Sequence, residues 1–505
     1  MKVAFVMVAK TLNCIGGLRV AAIAKKQGDA DVYFIIPNNW SSLSHILYPN
    51  RGSTLSSSDF EIISKKLAFY DIICFSSLTD TISDVFEITG RLKKINKKAF
   101  VLLGGIHATL YPDGTIDKVD AICVGEGEKP IRQFLEAFKD EKDYYNIKGL
   151  WFNKNGDIHK NQSGALNTNE ELNEFQMGLD VFDCQIYDVR QKQFVDVTKN
   201  DFIKFNGLTY CVMWTMGCPF SCSYCSNSGF VKIDKNYAKL RFSKPEIVVR
   251  EIEEVIKKRP FISSVAFADD NMIALPFDVL EEFCKLYKSK IDLPFFVGGI
   301  HPNTINKEKI ELLASYGMIK TRLGIQSGSE KVLKLYERNT PLEAIISAVN
   351  ILADAQRKYH MMPPFYDIIC DNPIETRDDI ISSLRLLNSL KRPLLLNVFA
   401  LRVLPGTKLA SCFEENGINC SELSYHTLRP TLSNLMIYLI SFAKIPDFIF
   451  ERLLRKVKGN DTEQKKYPIL FGVFRFLSRL KRAVYMIRAS DFAEVPCKRL
   501  FISAK

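Results

Sequence analysis

The sequence has no apolar run long enough to cross a bilayer: its most apolar late stretch, Leu435 to Ala443, is nine residues, against the roughly 20 that a membrane helix needs. No export signal is read at the start, because the apolar opening "MKVAFVMVAK" runs into Lys10 with no small-residue cleavage site behind it. A disulfide framework is not expected either. Thirteen cysteines are an odd number in a chain without an export signal, which points to a reducing cytosol. Internal repeats and low-complexity segments are missing, and so is any charge imbalance over most of the length. Residues 421–505 hold 16 Lys and Arg against 7 Asp and Glu, whereas the residues before them hold 52 against 50. Any electrostatic partner therefore belongs to the tail.

What is present is the composition of an ordinary globular protein, 505 residues with 47% hydrophobic and 25% charged side chains, too long for a single core. Residues 1–140 alternate short apolar runs with helical patterns. Strands are expected at Val3–Val8, Val32–Ile36, Ile72–Phe75, Phe100–Leu103 and Ala121–Val124. Continuous rather than alternating apolar runs suit strands buried on both faces, hence a doubly wound parallel α/β domain that binds ligands at the carboxyl ends of its strands. Residues 141–205 read as a connector in which Asn155-Gly156 signals a hairpin.

From about 206 to 410 the alternation resumes with a longer period. Strands are expected at Leu208–Thr215, Ile262–Ala268, Phe295–Gly298, Thr321–Ile325, Phe365–Ile369 and Leu395–Ala400, with Ser243, Pro245 and Glu246 announcing a capped helix after the first. Six βα units predict a partial (β/α)6 barrel. Residues 411–505 read as a basic helical region.

Just after the first strand of this array stands "GCPFSCSYC", with Cys218, Cys222 and Cys225 on one tight loop. Most of the other cysteines, such as Cys74, Cys123 and Cys284, sit in apolar patterns and read as core packing. Three thiols are one short of a structural zinc site, which Cys211 or a distant histidine would have to complete. They equally suit a 4Fe-4S cluster with one iron left open for a ligand.

This spacing, with Tyr224 before the last cysteine, resembles the signature of the radical S-adenosylmethionine enzymes. The resemblance implies a cluster held by the three cysteines, whose open iron chelates S-adenosylmethionine. One electron then cleaves the cofactor to methionine and a 5′-deoxyadenosyl radical. Further segments match in order. "VAFADDN" supplies Asp269 and Asp270, similar to the motif that meets the cofactor's amino group, with capping of the next helix as the alternative. "RLGIQSGSEKVLKLYERNT" supplies Gln326, Ser327 and Arg338, similar to the segment that holds ribose and carboxylate. "YDIICDNPIET" departs from the usual glycine-rich form at Asp371-Asn372-Pro373.

In the first domain "FSSL" and "LLGGIHATLYPDG" resemble the corrinoid-binding domain joined to one branch of these enzymes. Ser76, Leu78, Gly104 and Gly105 match the second half of its cobalamin motif. The Asp-x-His-x-x-Gly loop that supplies a lower cobalt ligand elsewhere is absent: "AKTLNCIGG" stands there, and His107 is the nearest other imidazole.

The resemblance implies a cytoplasmic enzyme with three cofactors: a 4Fe-4S cluster, S-adenosylmethionine and cobalamin. Its reaction is expected to be methyl transfer to an unactivated carbon of a small-molecule or lipid substrate. An electron donor such as flavodoxin or ferredoxin is expected, and nucleic acid is not. A cyclase or oxidoreductase with the same cofactors, or a non-catalytic sensor, are the alternatives. The tail sequence "FGVFRFLSRLKRAVYMIRAS" sets Arg475, Arg479 and Arg482 on one helical face. That face lies on an anionic membrane surface in one reading and packs on the barrel in the other.

Overall fold

The computed structural model describes residues 1–28, 30–37, 54–420, 427–459, 466–492 and 495. Its first half is built on a nine-stranded sheet. Five parallel strands form the centre: β1 (Val3–Val8), β2 (Ala30–Ile35), β3 (Ile72–Ser77), β4 (Phe100–Gly104) and β5 (Ala121–Cys123), in spatial order 2-1-3-4-5. β1 shows why the apolar runs are unbroken. Val3, Phe5 and Met7 enter the core on one face, and Ala4, Val6 and Val8 enter that on the other. Each larger side chain so buried contributes about 1.5–3 kcal/mol.

The order reverses between β1 and β3, so the crevice for a ligand opens beyond Val8 and Ser77. Residues 141–205, read as a connector, lengthen this sheet at both edges. β6 (Leu150–Lys154) and β7 (Asp157–Lys160) pair antiparallel beside β5, and β8 (Gln185–Asp188) and β9 (Gln193–Asp196) form a second hairpin beside β2. Asn155 and Gly156, both at positive φ (55° and 96°), make the first turn, as the Asn-Gly pair requires.

The second half carries six parallel strands in chain order: β10 (Thr209–Val212), β13 (Ser264–Phe267), β14 (Phe295–Ile300), β15 (Met318–Gln326), β16 (Phe365–Cys370) and β17 (Leu395–Ala400). This is an open (β/α)6 barrel. Between β10 and β13 a short ribbon of β11 (Thr215–Met216) and β12 (Arg241–Phe242) brackets the cysteine loop and the helix Ser226–Ile233 that follows it. The helix Pro245–Lys258 has Lys244, not Ser243, as its N-cap residue, because the buried Ser243 hydroxyl donates to Gln176 Oε1 at 2.9 Å instead.

The two halves are locked by buried polar contacts. Arg19 Nε donates to the Gln176 carbonyl at 3.2 Å, and its guanidinium also reaches the Met213 carbonyl. Gln176 Nε2 and Tyr210 Oη donate to Glu251 at 2.7 and 2.8 Å. Glu126, after β5, takes two hydrogen bonds from Arg241 of β12 at 2.7 and 3.1 Å. Farther round, Arg402 pairs with Asp80, and Gly406, at φ +76°, lies so close against the Leu110 carbonyl that no side chain fits there. Asp80, Leu110 and Glu126 follow β3, β4 and β5 on one side, and their partners Arg402, Gly406 and Arg241 follow β17 and the cysteine helix on the other. The carboxyl ends of both sheets therefore face each other.

In the C-terminal region, helices span Leu432–Phe442, Asp447–Lys458 and Pro468–Arg488. Met486, Phe492 and Val495 pack with Phe365 and Leu395 at the starts of β16 and β17, while Lys320 Nζ donates to Asp491 at 2.7 Å. Among the described residues no helix is long and apolar enough to cross a membrane.

Candidate functional site

The cysteine loop leaves β11 through Gly217, at φ +90°. A β-carbon there would stand 2.6 Å from the carbonyl oxygens of both Tyr237 and Lys239, so only glycine passes. Cys218 and Cys222 are buried and Cys225 half-buried, and all three are free thiols. Burial pushes the Cys218 thiol up to about 12 and that of Cys225 up to about 11, with the charges of Asp270 and Cys222 adding to both rises and that of Cys225 to the first. Such thiols ionise only against a strong cation. Among the described residues no three His, Cys, Asp or Glu side chains close on one point as around a single ion. Cys211, weighed as a fourth ligand, sits instead among Asp269, Lys320 and Asp491.

The other residues singled out in the barrel divide between scaffold and open groups. Asp269 is buried and accepts the backbone N–H groups of Trp214 and Thr215, at 3.1 Å and 2.5 Å, fixing the chain between β10 and the cysteine loop. Burial lifts its carboxyl to about 6 despite those bonds. Asp270 is hydrogen-bonded to Asn227, two residues beyond Cys225. Ser327 is scaffold: its hydroxyl meets that of Ser383 at 3.1 Å and accepts from Ser329 N at 3.1 Å. Gln326 ends β15 at φ +71°. Beside it Arg338 reaches the Gly324 carbonyl, and its Nη1 lies 3.5 Å from Cys222 Sγ and 3.4 Å from Tyr224 Oη. Among the described residues the buried Arg338 Nε has no partner. A guanidinium against the cysteine loop with an unspent donor fits a carboxylate-bearing ligand bound beside the three thiols.

Sequence reasoning passed over His301, at the end of β14. Its ring stacks on Phe220 of the cysteine loop with 3.7 Å between centroids, and burial, with the Arg338 charge, holds it near 3. A histidine two residues after the Gly298-Gly299 pair was the available signal. Asp371, at φ +58°, occupies a conformation that asparagine and aspartate tolerate. Its carboxylate accepts Arg429 N at 2.8 Å, Arg429 Nε at 3.1 Å and Asn434 Nδ2 at 3.0 Å. The departure from glycine thus ties the barrel to the C-terminal helices.

A cavity of about 610 Å³ begins at Tyr224 and Gln326 and runs along β15, β16 and β17. Its far wall is the C-terminal helix, which presents Arg475, Arg479 and Arg482 inward. The opposite face of that helix exposes Ile469, Leu470, Val473, Phe476 and Leu480. The basic stripe, read either as lying on an anionic membrane or as belonging to a helix packed on the barrel, is turned toward the barrel, and the apolar side is turned out.

At the facing end of the first sheet, Gly105 has φ +98° and a β-carbon there would fall 2.5 Å from the Ser77 carbonyl oxygen, whereas Gly104 has ordinary space. Ser76 Oγ lies 3.9 Å from Cys14 Sγ, and Leu78 is exposed at the mouth of the crevice. His107 is buried, with Nδ1 3.2 Å from Thr79 Oγ1 and the rings of Phe86 and Tyr111 edge-on around it. Its burial holds the imidazole near 4. The paired glycines, the exposed Leu78 and the open crevice suit a flat ligand edge laid on backbone, with His107 already engaged.

Comparison with known proteins agrees with this geometry. Residues 17–135 match the B12 binding domain model and residues 212–387 the Radical SAM superfamily model. The chain is 24% identical over 336 residues to an uncharacterized methyltransferase of Pyrococcus horikoshii, covering 66% of each. It is 23% identical over 292 residues to the anaerobic magnesium-protoporphyrin IX monomethyl ester cyclase of Rubrivivax gelatinosus, covering 56% of this chain and 49% of the cyclase. The chain thus spans between about half and two thirds of these relatives. Its fold is similar to that of the cobalamin-dependent S-adenosylmethionine radical enzyme OxsB (TM-score 0.63, 14% identity, 97% of this chain and 73% of the other). It is also similar to the radical S-adenosylmethionine methyltransferase TsrM of Kitasatospora setae (TM-score 0.60, 16% identity, 82% and 76%). With its two ligand-binding ends facing each other, the chain carries a B12 binding domain at residues 17–135 and a radical S-adenosylmethionine domain at residues 212–387.

Proposed function

We propose that the protein is a cobalamin-dependent radical S-adenosylmethionine methyltransferase acting on an unactivated carbon. The observation that carries this is the opposition of the two sheets' carboxyl ends, sealed by Leu110 against Gly406 and Asp80 against Arg402. When bound, the cluster supplies the electron that cleaves S-adenosylmethionine, and the corrinoid supplies the methyl group. The chain's own residues orient and shield. Cys218, Cys222 and Cys225 would hold the cluster, and Asp269 fixes their loop through the Trp214 and Thr215 amides. Arg338 and Asp270 offer opposite charges for the carboxylate and ammonium of the amino-acid moiety. Ser76, Leu78, Gly104 and Gly105 would line the corrinoid's crevice. The apolar lining of the cavity at Ile369, Leu396 and Val398 keeps water from the reacting carbon.

The test is S-adenosylmethionine carrying a labelled methyl group, given to the reconstituted, reduced protein with its substrate. Label in the product supports methyl transfer. A converted but unlabelled product replaces it with the cyclase or oxidoreductase reading, and failure to form 5′-deoxyadenosine leaves only a sensor.

A soluble reductant such as flavodoxin or ferredoxin completes the proposal, as does residence in the cytoplasm at the membrane's inner face. The outward row of Ile469, Leu470, Val473 and Phe476 supports contact with lipid by insertion rather than by charge. Co-sedimentation with neutral liposomes is then expected to equal that with anionic ones. A requirement for anionic lipid, or no binding at all, discards it.

A further inference from the structure

The near balance of charge before residue 421 conceals a local excess beside the cysteine loop. From Pro219 to Phe242 the chain carries Lys232, Lys235, Lys239 and Arg241 against one acid, Asp234. Arg241 is taken by Glu126, and the Asp234 carboxylate is turned to Asn236, accepting its backbone N–H at 2.8 Å and its Nδ2 at 3.1 Å. Lys232, Lys235 and Lys239 are exposed, and among the described residues no carboxylate pairs with them. The same segment touches the cysteine loop directly. Cys225 is the N-cap residue of the helix Ser226–Ile233, whose last turn carries Lys232. The Tyr237 carbonyl accepts the Cys218 N–H at 3.3 Å, and Lys235 and Lys239 stand two residues to either side of Tyr237. The buried Tyr237 ring stacks on Phe230 with 4.7 Å between centroids. Two residues of chain span at most about 7 Å, so the lysines mark a surface from which little protein separates the thiols. Beside it Leu110 lies against Gly229, and the next residue, Tyr111, is 47% exposed. An exposed aromatic ring with unpaired cations around it has the make-up of a protein contact rather than of a merely solvated face. Electron transfer falls off steeply with distance, so a donor to a cluster held by these thiols has to dock where the intervening protein is thin.

We propose that Lys232, Lys235, Lys239 and Tyr111 form the docking surface for an acidic protein that carries one electron at a time. Opposite charge steers the carrier onto the face behind Cys218 and Cys225. One electron then passes from its reduced flavin or iron-sulfur group to the cluster, which is reduced as the carrier is oxidised. The proposal rests on the cluster of the function proposed above. It is tested first without electron transfer, by isothermal titration of the reconstituted full-length protein with two acidic carriers, oxidised flavodoxin and oxidised 4Fe-4S ferredoxin. Saturable binding of at least one is expected at low salt, weakening steeply toward about 1 M salt, where the Debye length is about 3 Å. Lys232→Glu with Lys235→Glu and Lys239→Glu should weaken binding about tenfold or more, whereas arginine at the same three positions should bind as the parent does. Lys94→Glu with Lys97→Glu and Lys98→Glu makes the same change of charge before β4, at the opposite end of that strand from the gap. That variant should bind within about twofold of the parent, since charges beyond a Debye length are screened. Bleaching of the cluster by reduced flavodoxin, followed by stopped flow, should slow about tenfold or more in the first glutamate variant, while excess dithionite bleaches it to the same extent as in the parent. No saturable binding of either carrier overturns the proposal, as does equal loss in the two glutamate variants. Cleavage of S-adenosylmethionine with dithionite is read separately: cleavage without carrier binding removes this inference alone, and carrier binding without cleavage removes the earlier one.

Discussion

At the scale of single residues, the site works through side chains whose partners leave one function unspent. Arg338 is held by the Gly324 carbonyl and lies against Cys222 and Tyr224, yet keeps a buried Nε unpaired. Replacing it by lysine keeps the charge and removes the paired donors. Arg338→Lys should weaken S-adenosylmethionine binding by about tenfold, measured by equilibrium dialysis, with the iron content unchanged. His107 makes the complementary case. Burial holds its imidazole near 4 in the folded chain, below its usual 6.5. The unfolded chain therefore takes up the proton first as pH falls, so the stability His107 confers is complete above 6.5 and is lost progressively toward 4. The melting temperature should drop between pH 7 and pH 5. In His107→Gln, which can still bond Thr79, the drop should be smaller; an equal drop would assign it to other groups.

The elements were unequally legible, and the reasons are physical. β1 and β3 to β5 are continuous apolar runs because both their faces are buried. β8 and β9, "QIYD" and "QFVD", are four-residue strands with polar ends, and a pattern that short does not distinguish strand from loop. The C-terminal helix was legible as a helix with a basic stripe, but periodicity reports that two faces differ, not which one turns inward. The three cysteines declared themselves by spacing, whereas the arginines around the cavity come from three separate segments and meet only in the fold. Turn chemistry sharpens into a prediction at the end of β4. Gly105→Ala forces a β-carbon onto the Ser77 carbonyl at positive φ and should cost about 1–3 kcal/mol. It should lower corrinoid retention, while Gly104→Ala, with 3.6 Å to the nearest atom, should be tolerated. Differential scanning calorimetry and the visible spectrum of the purified protein read both.

At the scale of the whole molecule, two domains are clamped through buried charge. Glu126 and Arg241 are 4% and 12% exposed and joined by two hydrogen bonds. Removing one partner strands the other, so Glu126→Gln should destabilise the interface by about 3–5 kcal/mol. The expected readout is faster proteolysis within residues 141–205 and a larger radius of gyration in solution scattering. Glu126→Gln combined with Arg241→Met should recover part of the loss. Unchanged scattering in the single variant would locate the clamp elsewhere, in the Arg19, Gln176 and Glu251 network.

The helix Pro468–Arg488 is packed against the barrel rather than hung from a loop, so the interval between its inward arginines and the Tyr224–Gln326 corner is set by rigid packing. The cavity's length is thus set before anything enters it, and a shift of this one helix would move its far wall against the cysteine loop without altering either sheet.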